Sequence, residues 1–375
     1  MKVIKFLSPI RKWLFGTLIT TVVLASAAFL YFRSQIDHVL DEELSAAVEE
    51  IQITSGIVGL AFGVVQNGEI ILLEGFGETK LGAEDTVTRS HIFHWASVSK
   101  PFVAIAIMQL VEKNQLRLED SLVEVLPDYT VTDPRHQEIT IEQLLLHTSG
   151  LPDVEDYEWD KPQEDSEALM RWATKESPRE LLFDPGMDRK YSNIGFEVLG
   201  AVLEQISGDT FEGYMKTNIL VPAGMENSSF LFPEIRSDLR TTGHTGSGEK
   251  KAIADHYPWN RRHGPSSTLN TSVEEMSGFV SALLSDRLLK AETRSTMWQA
   301  RWPINDDGSQ AGTLGWSFRE QEGVRIWLHT GADVGFRSAL AIFPDTQSAV
   351  FLVSNDEAAP IVPILFTSFE FLFTD

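Results

Sequence analysis

Cysteine is absent from the 375 residues, which removes disulfide frameworks, thiol nucleophiles, Cys-ligated zinc, iron–sulfur clusters and a lipid-modified cysteine. Basic residues are scarce as well: 31 Lys and Arg stand against 54 Asp and Glu, a formal charge of −23. Five of those bases, Lys2, Lys5, Arg11, Lys12 and Arg33, fall in the first 36 residues, which hold no acid. The rest of the chain sets 26 bases against 54 acids, a net −28. So acidic a body repels phosphate backbones and anionic lipid, and no nucleic-acid partner is expected. The glycines form neither a P-loop nor a G-x-G-x-x-G after a strand, and no G-x-S-x-G nucleophile elbow occurs, which excludes nucleotide chemistry and the lipase-type hydrolases. His91 and His94 lie three apart with no H-E-x-x-H and no carboxylate partner, so neither a metal nor any other cofactor is expected. Internal repeats and low-complexity tracts are also missing.

What is present is material for a core. Hydrophobic residues make up 43% of the chain, with 22 Phe and 9 Trp, as in one large globular domain or two intimately associated subdomains. Ahead of it, Trp13 to Phe32 form a charge-free run of twenty residues, matching the ~20 that cross a bilayer as a helix. The basic flank before this run predicts a cytoplasmic tail and membrane anchor over 1–35 and an exported domain over 36–375, placing the body outside the cytoplasm. Ala25-Ser26-Ala27 resembles a signal-peptidase site, but Phe29 to Phe32 prolong the apolar run beyond the usual length, which favours an uncleaved anchor.

The exported body reads as α/β. An amphipathic helix is expected from Ile36 to Ile51. Ile57 to Val65 and Glu69 to Gly75 flank Asn67-Gly68, a hairpin signal because both turn positions tolerate positive φ. Four further strands are expected at Thr313 to Phe318, Val324 to Leu328, Arg337 to Phe343 and Ala349 to Val353, then a helix from Ile361 to Phe373. Strands at both chain ends predict one shared antiparallel sheet flanked by helices, with an α-rich insertion at about 115–290. The polar loops at Tyr157 to Asp165 and Arg236 to Arg262 have no interpretable pattern.

Three short elements carry the chemistry. Ser97-Val98-Ser99-Lys100 is an S-x-x-K tetrad opening an apolar-periodic run to Val111. Positions three apart share a helical face, so Ser97 Oγ can meet Lys100 Nζ, a hydroxyl beside an amine able to take its proton. Tyr191-Ser192-Asn193 precedes a helical run from Ile194 to Ile206, and a phenol there can relay a proton while the Asn193 amide contacts substrate and holds Lys100. His329-Thr330-Gly331 follows the strand ending at Leu328. Gly331 permits close approach, and the Ala332 and Ser97 amides can together form an oxyanion hole. Taken singly, each element has an ordinary structural reading as a cap, a turn or an edge strand.

In this order the three elements resemble the penicillin-recognising serine hydrolases, specifically the superfamily of class C β-lactamases, D-alanyl-D-alanine carboxypeptidases and esterases. Leu144 to Leu151, Pro185-Gly186 and Gly335-Phe336-Arg337-Ser338 extend the resemblance across about residues 42 to 372. It implies a β-lactamase-like fold with the site between the α/β part and a helical subdomain. It implies further that Ser97, Lys100 and Tyr191 are catalytic, and that Asn193, His329, Thr330, Gly331 and Ala332 bind substrate. Ser149 would belong to a supporting turn rather than act as a rival nucleophile. The expected activity is hydrolysis of an ester, amide or D-amino-acid peptide through an acyl-enzyme. A true β-lactamase and a membrane-tethered, catalytically silent penicillin-binding-like protein are the alternatives. Class C enzymes carry Lys-Thr-Gly where this chain has His329-Thr330-Gly331, so a cation for the substrate carboxylate is expected to depend on histidine protonation. That dependence predicts a preference for neutral or weakly anionic substrates.

Overall fold

The computed structural model describes residues 42–129, 133–178 and 180–373. The apolar run from Trp13 to Phe32, and with it the expected anchor, lies outside these. Among the described residues no helix is long and apolar enough to cross a membrane. The chain divides into two compact units, Met1–Val48 and Glu49–Asp375, and the sheet and the cleft both belong to the second. Helix α1 covers 42–55, within and just beyond the part of the expected amphipathic helix that is described.

Strands β1 (Gly59–Gln66) and β2 (Glu69–Gly77) form the expected hairpin, turning at Asn67 and Gly68 with φ of 52° and 81°. Helix α2 (Ser99–Glu112) follows, buried on every side from Ser99 to Leu110, as a helix apolar all round must be. Pro101 sits in its first turn, where a missing N–H costs nothing. Helix α3 (Ile141–Leu146) starts on a capping box between Thr140 and Gln143. Helix α4 (Asn193–Ser207) is capped by Ser192, whose Oγ accepts from the Gly195 N–H. Helix α5 (Val273–Leu284) is capped in the same way by Ser272.

The chain then returns to the sheet through β3 (Trp302–Pro303), β4 (Gln310–Thr313), β5 (Trp316–Gln321), β6 (Val324–Asp333), β7 (Phe336–Phe343) and β8 (Ser348–Ser354), and ends in helix α6 (Ile361–Phe373). The sheet order is β2-β1-β8-β7-β6-β5-β4-β3, antiparallel at each pairing. The first strand of the chain thus pairs with the last, as the strand pattern at the two ends predicts. Helix α5 packs on β1 and β8, and α6 on β7 and β8.

Two of the expected strands differ by more than two residues at a boundary. The single strand expected over Thr313 to Phe318 is broken at Leu314-Gly315, with Gly315 at φ +76°. A Cβ at Gly315 would stand 2.4 Å from the Ala104 Cβ of α2, so the turn is pressed against the central helix. Strand β6 also runs five residues past Leu328, through His329-Thr330-Gly331 to Asp333. Strand β5 pairs with it only as far as Ser317 opposite Leu328, whereas β7 accompanies it to Asp333. Among the described residues the His329–Asp333 stretch therefore keeps one strand edge free of a sheet partner.

Candidate active site

Ser97 stands just ahead of α2, where the helix N-terminus offers its partial positive charge. The preceding residue, Ala96, is held at φ +47°, a left-handed conformation unusual for alanine and of the kind stored at functional turns. Two contacts from the sheet fix this turn. Ser338 Oγ donates to Trp95 O at 2.7 Å. Gly331 packs so closely that a Cβ there would lie 2.3 Å from Trp95 O and 3.2 Å from Ala96 Cβ. The glycine of His329-Thr330-Gly331 thus lets the free edge of β6 approach the nucleophile turn.

Lys100 has no exposed surface. Its Nζ lies 3.1 Å from Ser97 Oγ, 2.5 Å from Asn193 Oδ1 and 2.7 Å from Ser266 O, and 4.9 Å from the Tyr191 ring centroid. Burial pulls its pKa down to about 7, against the opposing influence of Asp153, Glu197 and Asp333. Near neutrality a substantial fraction of Lys100 is therefore the free amine. That amine has two N–H bonds and one lone pair. Asn193 Oδ1 and Ser266 O can take both hydrogens, which leaves the lone pair for the Ser97 hydroxyl. Both acceptors are themselves held. Asn193 donates from Nδ2 to Asp153 Oδ1 at 2.9 Å, and its backbone N–H reaches the same oxygen at 2.8 Å. Ser266 Oγ donates to Glu197 at 3.0 Å, and the same carboxylate accepts from His263 and Trp172.

The Tyr191 hydroxyl donates to Ser97 Oγ at 2.9 Å. Its pKa lies above the ordinary phenol value, chiefly through desolvation, with the Ser97 hydrogen bond pulling the other way. Tyr191 is thus a phenol at neutral pH, a proton donor beside a better base. Its ring lies 4.4 Å from His147, a residue in the left-handed C-cap of α3. Burial and the nearby Lys100 charge hold the His147 pKa well below the usual imidazole range.

His329 Nδ1 is 2.8 Å from Thr330 O, so that nitrogen carries the hydrogen. Burial, then the charge of Lys100, depress its pKa to about 3. The structure thus differs from the expectation of an imidazole titrating near its ordinary value, because desolvation, with the Lys100 ammonium adding to it, disfavours the charged ring. His329, Thr330 and Ala332 line one cavity of about 470 Å³ with Ser97, Tyr191 and Asn193. Gly331 is buried behind them. Every sequence-predicted site residue is therefore in or against this cleft. Ser149, only 1% exposed, accepts from the Leu151 N–H and does not line it. Among the described residues no group of His, Asp and Glu could hold a metal ion. Asp153, Arg189, Glu197 and Ser266 escaped the sequence reading. Arg189 lies two residues before Tyr191, and Glu197 lies one helical turn after Asn193, so both stood close to a motif in sequence.

A beta-lactamase family model matches residues 44–362. The chain belongs to the beta-lactamase family. Among curated relatives of this family member, protein flp of Staphylococcus aureus strain COL is 23% identical over 331 residues, 86% of this chain and 63% of flp. Penicillin-binding protein 4* of Bacillus subtilis is 27% identical over 314 residues, 78% of this chain and 67% of that protein. The chain thus spans somewhat under two thirds of flp. Among solved structures, the octameric penicillin-binding protein homologue of Pyrococcus abyssi superposes with a TM-score of 0.77 at 22% identity, covering 88% of this chain and 77% of that one. The D-amino acid amidase of Ochrobactrum anthropi SV3 gives 0.70 at 20% identity, covering 84% and 91%. These likenesses show the fold, a mixed α/β architecture with an antiparallel sheet.

Proposed function

We propose that this chain hydrolyses an ester, amide or D-amino-acid peptide through an acyl-enzyme on Ser97. The observation that carries the reading is the contact of buried Lys100 Nζ with Ser97 Oγ, while Asn193 Oδ1 and Ser266 O hold the same nitrogen from other sides. Lys100 takes the Ser97 proton as Oγ attacks the substrate carbonyl carbon, and the carbonyl oxygen becomes an oxyanion. The Ser97 and Ala332 backbone N–H groups are the proposed donors to that oxyanion, beside the N-terminus of α2. Tyr191 then gives its proton to the leaving group as the carbon–leaving-group bond breaks, and recovers one from Lys100. Water attacks the ester, gives its proton back along the same pair, and Ser97 is restored. With its pKa lowered, His329 contributes a polar wall near neutral pH, so carboxylate recognition that fades as His329 deprotonates has no basis there. The relatives named for penicillin binding and D-amino acid amide hydrolysis favour the amide and D-amino-acid side of this range.

Assays with p-nitrophenyl acetate, a D-amino-acid p-nitroanilide and a chromogenic cephalosporin test the reading. Multiple turnovers on the ester or the D-anilide are expected. Stoichiometric acylation without release on all three would instead make the protein a silent penicillin-binding-like protein, and fast turnover of the cephalosporin alone would make it a β-lactamase.

We also propose that Trp13 to Phe32 tether the body outside the cytoplasm, a reading supported by the basic residues ahead of that run. Carbonate washing of membranes should leave the protein in the pellet with its N-terminus intact. A soluble form beginning near Ala28 would show a cleaved signal peptide.

A further inference from the structure

We propose that Arg189 is the anion receptor of this cleft and selects substrates bearing a carboxylate on the His329 side of the scissile bond. The inference rests on the hydrolase reading and reverses the expectation that loss of the family lysine favours neutral substrates.

Arg189 lines the same cavity as Ser97, Tyr191 and His329. It is half-buried. Its Nε donates to Leu146 O at 3.1 Å, which fixes one corner of the planar guanidinium. Gly312 of β4 also stands close, where a Cβ would lie 3.1 Å from Nε and 3.7 Å from Cζ. The guanidinium therefore lies along bare backbone. A guanidinium has five N–H donors and one is used here. Among the described residues no carboxylate is within ion-pair distance of it. The neighbouring Asp188 accepts from the Arg189 backbone N–H at 2.7 Å and forms no ion pair with its side chain. In a chain with 54 acids and 31 bases, a half-buried arginine without an acidic partner is an unusual expense of desolvation. A ligand carboxylate would relieve it with two parallel N–H···O bonds.

The position of Arg189 along the cleft sets which part of the substrate it meets. The free β6 edge begins at His329, beyond the Ser317–Leu328 pair that closes β5. Ser317 pairs with Gly312, against which the Arg189 guanidinium lies, so Arg189 stands at this end. At the opposite end the Asp333 carboxylate is held by His94 Nε2 at 3.1 Å. The nucleophile turn sits against Gly331, midway between them. A substrate laid along the edge with its carbonyl at Ser97 thus meets the guanidinium on the His329 side.

The test compares two esters of one acyl group, the 3-carboxyphenyl and the phenyl ester, through the ratio of their kcat/KM values. The wild type should prefer the carboxyphenyl ester. Arg189→Gln should cut the preference by ~10 to 10², the size of one charge-assisted bidentate contact, mainly through KM because the contact forms on binding. Arg189→Lys should keep part of it, as a point charge without the fork. A ratio unchanged in Arg189→Gln, or the same fall for both esters, overturns the anion-receptor assignment and leaves the hydrolase reading standing. A wild type that hydrolyses neither ester overturns the anion-receptor assignment, and one that also leaves the D-amino-acid p-nitroanilide intact overturns the hydrolase reading with it.

Discussion

Ser97→Ala is expected to lower turnover by at least about 10⁴-fold, because removing a nucleophile leaves only binding and oxyanion stabilisation. Covalent labelling by a serine-directed phosphonate should disappear with it. The effect is this large because Ser97 Oγ is the one atom that both Lys100 Nζ and the Tyr191 hydroxyl reach, at 3.1 and 2.9 Å. Neither partner can substitute for the oxygen they share. Ser149→Ala, whose site is a buried turn outside the cleft, serves as the control and should keep its label. Steady-state rates and the labelled mass of the two variants check this, and labelling retained in Ser97→Ala would remove the nucleophile assignment.

The second large effect is carried by Lys100 and has a pH signature. With its pKa lowered to about 7 by burial, the base is the free amine above that value and the ammonium below it. kcat/KM should therefore rise about tenfold per pH unit below 7 and level off above, since only the unprotonated form accepts the Ser97 proton. Tyr191, with its pKa raised, does not titrate in this window, so the plateau should extend through the weakly alkaline range. Lys100→Ala should cost ~10² to 10⁴ in rate and abolish the inflection. Lys100→Arg should fare no better, because a guanidinium has no lone pair to offer. An inflection near pH 7 that survives in Lys100→Ala would assign the titration to another group.

Much of this site was legible because its signals are local. Ser97 and Lys100 are one helical turn apart, Tyr191 and Asn193 open a helix, and Asn67-Gly68 announces the hairpin that starts the sheet. Boundaries failed where glycine has two meanings. Gly315 reads as a residue within a strand but marks a turn pressed on Ala104, whereas Gly331 lies beyond the strand end expected at Leu328 but sits inside β6. What was not legible is tertiary. Asp153 reaches Asn193 across 40 residues and Ser266 reaches Lys100 across 166, and no periodicity encodes either contact. The charge state of His329 was misjudged for the same reason. Its shift comes from burial and from Lys100, 229 positions earlier in the chain.

The proposed cycle acylates Ser97 and then releases it. Its most direct test is a quench of the enzyme during turnover of a slow ester substrate, followed by digestion and mass spectrometry of the peptide spanning Trp95 to Lys100. The acyl mass should appear on Ser97 within the first turnover and decay as substrate is exhausted. An acyl mass on Ser149, or turnover with no acyl mass on any serine, would contradict it.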